Sequence, residues 1–415
     1  MHMAVSLKQF YQELYEEHLE EGAFLYESLQ PWREDPEGSW SDCAELEERL
    51  EAHIDALVIG EKTALTLLEA KIEDAEAGEL FVITCVFCRQ EAIKNVSTLW
   101  ETIIGTPEDL KQAEAEDAEE APDQDLIAKI EAVALALRLE YPEPYRSKLP
   151  KLLESPHGAL LPLIGSTVDE IGGLTVTAAK NLLDKCPLWY LPQAARIAGN
   201  SADKALAPVI ESLLDHYDPE VKKEAAIALL KLGCFEIVSR LMEAPDVFAI
   251  PLAFTGDAGA TRVLLAVAKE ESPPKEVITA LGFTGQLAAI KPLVLAMSEP
   301  ELATIAAIAA QFILATDLVE DQFVEENIEE EDLFDDELDA FKEGKKPLHP
   351  SGEAFGENIH SVVTDPERWR EWLREHRQRF DPQQAYRLGG PFSTTSVCQS
   401  LYKPGVPFAL RQYIH

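Results

Sequence analysis

Lysine and arginine are scarce in this chain. Its 415 residues hold 36 of them against 75 aspartates and glutamates, a formal net charge of −39. A field of that sign repels nucleic acid and anionic lipid, and it speeds encounter with cationic partners by about 10–10³-fold in favourable cases. Long hydrophobic runs are missing as well. The longest stretch, 303–315, is broken by Gln311 and falls short of the about 20 residues that span a bilayer. The first ten residues lack a basic segment followed by an apolar one, so no secretory signal is read there. Six cysteines scattered over this length make no disulfide framework, and reduced thiols in a cytoplasm are expected. Catalytic signatures are also absent: there is no His-Glu-x-x-His, Gly-x-Ser-x-Gly, Walker loop or dinucleotide-binding glycine pattern.

What the chain has is an ordinary apolar content, 46% by residue, which excludes a disordered polyanion. Its length suggests two or three domains. The first hundred residues read as long helices. Leu7, Phe10, Tyr11 and Leu14 recur at helical spacing, and Pro31, Pro36 and Gly38 then break the chain. Asp42 with Glu45 makes a capping-box signature, after which Leu46, Leu50, Ile54 and Leu57 share one stripe. A third helix is expected over 79–104. Its first half, FVITCVFC, is apolar on most faces and belongs at the centre of a bundle. An N-terminal helical bundle over 1–105 is therefore followed by an acidic linker, 106–125.

Over 126–318 the chain becomes short Ala/Leu/Ile/Val-rich helices punctuated by Pro, Gly and Asp. The clearest is 218–233, DPEVKKEAAIALLKLG. Asp218 is its N-cap and Pro219 its first helical residue. Val221, Ala225, Ala228, Leu229 and Leu232 form its buried stripe, and Gly233 is its stop. Related starts follow at Pro245, Pro273 and Pro300, spaced by 26, 28 and 27 residues. Phe-Thr-Gly recurs at the turns Phe254–Gly256 and Phe283–Gly285. A fixed period with two helices per unit is the signature of a helical solenoid. The fold class expected is all-α: a helical bundle, then a HEAT-like α-solenoid, with a C-terminal cap.

The acidic excess peaks in 317–340, with thirteen acids and no Lys or Arg. It opens an acidic and turn-rich segment, 319–364. A short basic amphipathic helix then begins at Asp365-Pro366. Trp369, Trp372, Leu373 and His376 line one side of it, while Arg368, Arg370, Arg374, Arg377 and Arg379 cover the rest. Residues 365–415 are read as this helix and a cap, ending in an apparent helix start, PFALRQYIH.

Candidate chemistry is thin. Cys85 and Cys88 form the one Cys-x-x-Cys, but no second pair supplies the four ligands of zinc, so they read as core thiols and no metal or cofactor is expected. His53 reads as a structural histidine. The partner-binding candidates are Glu325, Glu326, Glu329, Glu330, Glu331, Asp332, Asp335 and Asp336 in the acidic run, with Trp369 and Trp372. Each has a plainer reading. The run is a solvated loop, although Phe323, Val324, Ile328, Leu333, Phe334 and Leu338 interleaved with the acids argue for docking. The tryptophans plug the end of the repeats, and this cap reading is favoured.

The DPEVKKEAAIALLKLG unit resembles a HEAT repeat. EHLEEGAFLYE at 17–27, LEERLEAHIDALVIGE at 46–61 and DPERWREWLREHRQRFDPQQAYRLGGP at 365–391 resemble the signatures of a family of proteobacterial HEAT-repeat proteins. The resemblance covers nearly the whole chain, and its end motifs are the specific part. Genes of that family often lie beside type VI secretion genes and their toxic effectors. The resemblance therefore implies an effector partner, met as an immunity protein or as a loading adaptor, and it carries no catalytic residues. The function expected is a non-enzymatic, cytoplasmic protein-binding scaffold for a cationic protein. An enzyme on a HEAT scaffold, such as a DNA glycosylase, needs a basic concave face that this charge opposes.

Overall fold

The computed structural model describes residues 7–34, 43–104, 124–146, 148–154, 161–171, 174–325, 341, 348 and 354–402. Helix accounts for most of them, and two short two-stranded sheets account for the strands. The chain divides into two compact units, the first running to Val263 and the second from Leu264 to Tyr402. No helix among the described residues is long and apolar enough to cross a membrane.

The first unit opens with α1 (Leu7–Glu34), α2 (Ala44–Ile59), α3 (Glu61–Lys71), α4 (Ala77–Arg89) and α5 (Ile93–Ile104). Helix α1 runs through Pro31 instead of stopping there, with the proline in its last turns. Leu7, Phe10 and Tyr11 are exposed, and the buried face starts only at Leu19. In α2, Leu50, Ile54 and Leu57 are buried as the stripe requires. Its N-cap position falls on Cys43, without a side-chain cap, and Asp42 lies outside the described residues.

Helix α4 is the centre of this part: every residue from Leu80 to Cys88 is buried. Each large apolar side chain so buried contributes about 1.5–3 kcal/mol. Small residues let α1 close on it. A Cβ at Gly78 would sit 2.7 Å from the carbonyl oxygen of Ala23, and Tyr26 stacks on Phe81 at 4.4 Å. The single helix expected over 79–104 is two. Glu91 takes a left-handed φ of 53°, and the amides of Glu91 and Ala92 turn back to Cys88 and Phe87 at 3.0 and 2.8 Å. That is a Schellman ending made without glycine.

Helix α6 (Gln124–Glu140) packs along α4. Arg89 ties three helices together, reaching Glu51 at 2.8 Å, Asp55 at 2.9 Å and Glu140 at 2.6 Å. The expected linker lies outside the described residues up to residue 123. Next come α7 (Leu161–Ile171), α8 (Val176–Lys185), α9 (Leu191–Asn200), α10 (Ala207–Ser212), α11 (Pro219–Lys231), α12 (Val238–Leu241), α13 (Ala249–Phe254) and α14 (Ala258–Val267), within which the unit boundary falls. Helix α11 follows its sequence closely. The Asp218 side chain accepts from the Glu220 amide at 2.8 Å, the predicted stripe is buried, and Gly233 at φ 76° closes the helix with Cys234 bonded back to Leu229.

One turn recurs between paired helices. At Thr255 the hydroxyl donates to the Leu252 carbonyl at 2.7 Å and accepts from the Asp257 amide at 3.1 Å, with Gly256 at φ 65°. Ser201 builds the same turn with Ala198 and Asp203 around Ala202 at φ 56°. In the second unit Thr284 repeats it with Leu281 and Gln286 around Gly285 at φ 66°. Close helix approach also recurs. A Cβ on Gly199 of α9 would stand 2.6 Å from the Ala228 Cα of α11, and one on Gly282 would stand 3.0 Å from the Ala309 Cα.

The second unit continues with α15 (Lys275–Thr284), α16 (Ile290–Ala296) and α17 (Ala303–Leu314). Where another helix would follow, the chain turns into β1 (Val319–Glu325), antiparallel to β2 (Gly356–Val362) with Val319 opposite Val362 and Glu325 opposite Gly356. Both strands depart from the loop and turn-rich reading of 319–364. Then come α18 (Pro366–His376), a hairpin of β3 (Tyr386–Arg387) and β4 (Gly390–Pro391), and α19 (Thr394–Tyr402). The helix start PFALRQYIH lies outside the described residues.

Candidate functional site

The acidic run leaves α17 through a clamp. Gln311, the residue that breaks the apolar stretch, closes on Thr316. Its amide donates to the Thr316 carbonyl at 3.0 Å, and its oxygen accepts from the Thr316 amide at 2.8 Å. Ala315 sits between them at a left-handed φ of 48°. This fixes the direction in which β1 departs. Along β1, Val319, Asp321 and Phe323 share one face by strand alternation. Val319 and Phe323 are 50% and 46% exposed, so apolar surface flanks a carboxylate in the open. On the other face Glu320 pairs with Arg368 of α18, both about half exposed. A pair in that setting contributes about 0–1 kcal/mol.

Helix α18 is capped by Asp365, whose side chain accepts from the Glu367 amide at 2.8 Å, with Pro366 in the first helical position. Trp369 is 0% exposed and donates its indole N–H to the Val363 carbonyl at 2.5 Å. Trp372 is 6% exposed, stacks on His376 at 4.2 Å and donates to Asp317 Oδ1 at 2.8 Å. That indole bond is the first reason the Asp317 carboxyl is held below its usual value. Both tryptophans therefore lie inside this unit and are bonded to it, while the arginines of α18 face outward.

The YRLGGP stretch has a definite job. Leu388 and Gly389, at φ 50° and 75°, form the two-residue turn between β3 and β4. Their amides donate to the carbonyls of Phe312 and Ile313 at 2.8 and 3.0 Å, satisfying the C-terminal end of α17. Tyr386 donates to the Gly285 carbonyl at 2.7 Å. Arg387, 5% exposed, lies over the Phe312 ring at 4.2 Å and donates to the Phe283 carbonyl at 3.3 Å. Among the described residues its Nε has no partner, and burial pulls its pKa down to about 10.

Of the acidic candidates, Glu325 ends β1, while Glu326, Glu329, Glu330, Glu331, Asp332, Asp335 and Asp336 lie outside the described residues. Elsewhere, Cys85 and Cys88 are buried in α4. Burial raises both thiols, Cys88 to about 12, so neither is a ready nucleophile or ligand. Among the described residues no cluster of His, Cys, Asp and Glu could hold a metal ion. His53 faces His18 at 3.1 Å between ring nitrogens.

Sequence reading missed a polar ladder in the first unit. Asp169 of α7 takes Arg196 at 3.1 Å and Asn200 at 2.7 Å from α9, and Asn200 in turn accepts from Lys231 of α11 at 2.8 Å. Its members sit about 30 residues apart in three different helices, and each bond joins one helix to the next. Opposite charges and amides are matched, which is the arrangement of a structural tie more than of an acid–base couple. No protein-family model matches this chain, and no curated protein does.

Proposed function

We propose that this chain is a non-catalytic protein-binding scaffold of HEAT-like helical repeats closed by a C-terminal cap, and that it is an immunity protein for a basic type VI secretion effector, such as a nuclease. The observation that carries the reading is the exposed face of β1. Val319 and Phe323 stand in solvent on either side of Asp321, at the head of a run with thirteen acids. Apolar anchors set among carboxylates suit a cationic protein surface. A chain at −39 would steer such a partner in, and charge matching raises association rate and selectivity more than it raises affinity. Neutralisation would come from covering the effector's cationic active surface or from blocking its assembly. The resemblance of the end motifs to HEAT-repeat proteins encoded beside effectors points the same way.

The test is co-expression with the toxin encoded alongside, in the bacterial cytoplasm. A stable complex and survival of the cells support immunity. A complex that leaves the toxin active would make the chain a loading adaptor instead. No complex and no protection would end the proposal.

A further inference from the structure

The second unit carries an open groove of about 810 Å³ between α16 and α18. Ile290 and Val294 of α16, Leu314 at the end of α17, Leu373 of α18 and Phe380 make its apolar wall. Three cations also line it: Lys291 of α16, with Arg370 and Arg377 on and just past α18. Basic residues are outnumbered two to one in this chain, so three of them around one apolar groove invert the local sign. Arg370 also pairs with Glu367 on its own helix. Among the described residues Lys291 and Arg377 have no carboxylate partner. The groove has no part in the acidic face of β1 and stands independently of the function proposed above.

We infer that this groove docks an acidic amphipathic helix of a partner protein. Arg370 and Arg377 are seven residues apart, two helical turns or about 10 Å along the axis. That spacing matches two carboxylates at i and i+7 on an antiparallel or parallel partner helix. Leucine-sized side chains at i+3 and i+4 of the same helix would then face Ile290, Val294 and Leu373, which is the helix-in-groove mode of recognition. Lys291 lies on the opposite helix and meets a carboxylate from the other flank. A single-headed anionic amphiphile offers one negative group and leaves the remaining cations unmatched, so the charge layout favours a peptide. The whole chain's negative field repels such a peptide at long range, and only contact with these cations reverses that.

The experiment uses the full chain and a fluorescein-labelled synthetic helical peptide bearing Glu at i and i+7 and Leu at i+3 and i+4, read by anisotropy. Expected are saturable binding that weakens as salt is added, and a loss of at least about tenfold in affinity in Lys291→Glu and in Arg377→Glu (one good charge contact, 1.4 kcal/mol per tenfold). Both substitutions are at the groove's edge, and unchanged thermal unfolding would show that the fold survives them. A Lys-for-Glu peptide binding equally well, or affinity indifferent to both substitutions, would overturn the inference. So would dodecanoate displacing the peptide at equal concentration, which would make the site one for small amphiphiles. If the peptide bound only after the acids of 329–336 were neutralised, the chain's own run would be the occupant and the partner helix would be rejected.

Discussion

Trp372 donates its indole N–H to Asp317 across 55 residues of sequence, at 2.8 Å. The bond pins the start of the acidic run to the basic helix that follows it. Replacing Trp372 with Phe keeps an aromatic ring against His376 but removes the donor. The Asp317 carboxyl is held low in the folded state, so the stability it contributes is complete above the ordinary carboxylate range. That contribution is lost as pH falls through the folded value. The melting temperature of Trp372→Phe should therefore fall below that of the wild type at pH 7, by a gap that narrows toward pH 3. Calorimetry at both pH values checks this, and an equal gap at both would mean that the bond contributes nothing.

His53 gives a second pH effect, in the N-terminal helices. Burial first, and then the neighbouring charge of His18, lower its pKa, with Arg49 adding to the effect and Glu21 and Glu17 opposing it. The unfolded chain binds this proton near the ordinary histidine value of about 6.5, and the folded chain binds it only at lower pH. Stability is thus complete above about 6.5 and declines as pH falls below it. Urea unfolding followed from pH 7.5 to 5 should show that decline, and His53→Gln should flatten it.

Gly199 and Gly256 should fail for different reasons when changed to alanine. A Cβ at Gly199 would meet the Ala228 Cα at 2.6 Å, a backbone clash costing about 1–3 kcal/mol as overpacking. At Gly256 nothing lies within 4 Å, but φ is 65°, so the cost is the left-handed backbone alone, about 1–2 kcal/mol. Gly256→Asn should then recover part of the loss, because asparagine tolerates that region. Gly199→Asn should be worse than Gly199→Ala. Chemical denaturation of the four variants separates the two mechanisms.

Arg387 is buried over Phe312, and its Nε has no partner among the described residues. Arg387→Met removes a desolvated charge and keeps a flexible apolar chain against the rings. Stacking on Phe312, about 0.5–2 kcal/mol, is lost with it. The cost of burying an unpaired guanidinium is larger, so the variant should be as stable as the wild type or up to about 1 kcal/mol more stable. A loss beyond about 2 kcal/mol would show that the bond to the Phe283 carbonyl and the stacking outweigh desolvation.

Local signals were legible in the sequence. The Leu50–Ile54–Leu57 stripe, the buried FVITCVFC run of α4, the Asp218-Pro219 start with its Gly233 stop, and the two Phe-Thr-Gly turns all stand where their side-chain chemistry requires. The misses share a cause. Glu91, Ala202 and Ala315 adopt left-handed backbone without being glycine, a cost that neighbouring hydrogen bonds offset and that residue type does not announce. Strands β1 and β2 pair across thirty intervening residues. Their few β-branched positions are hidden in β1 by three acids among seven residues.

The site was legible only in part. Asp365-Pro366 and the one-sided tryptophans mark α18 correctly, but nothing in the sequence says that Trp369 and Trp372 bond to Val363 and Asp317. The groove was invisible for a simpler reason. Lys291 and Arg377 lie 86 positions apart, and only the packing of α16 against α18 brings them together.

The most direct test of the central claim is the affinity of the purified chain for its proposed partner, a basic type VI effector, measured at ionic strengths below and above about 0.15 M. The measurement is made for the wild type and for a variant with Glu329, Glu330, Glu331, Asp335 and Asp336 made neutral. A steep fall with salt in the wild type, and both weaker binding and a shallower salt dependence in the variant, are the predicted result. Affinity and salt dependence unchanged by the five substitutions would contradict it.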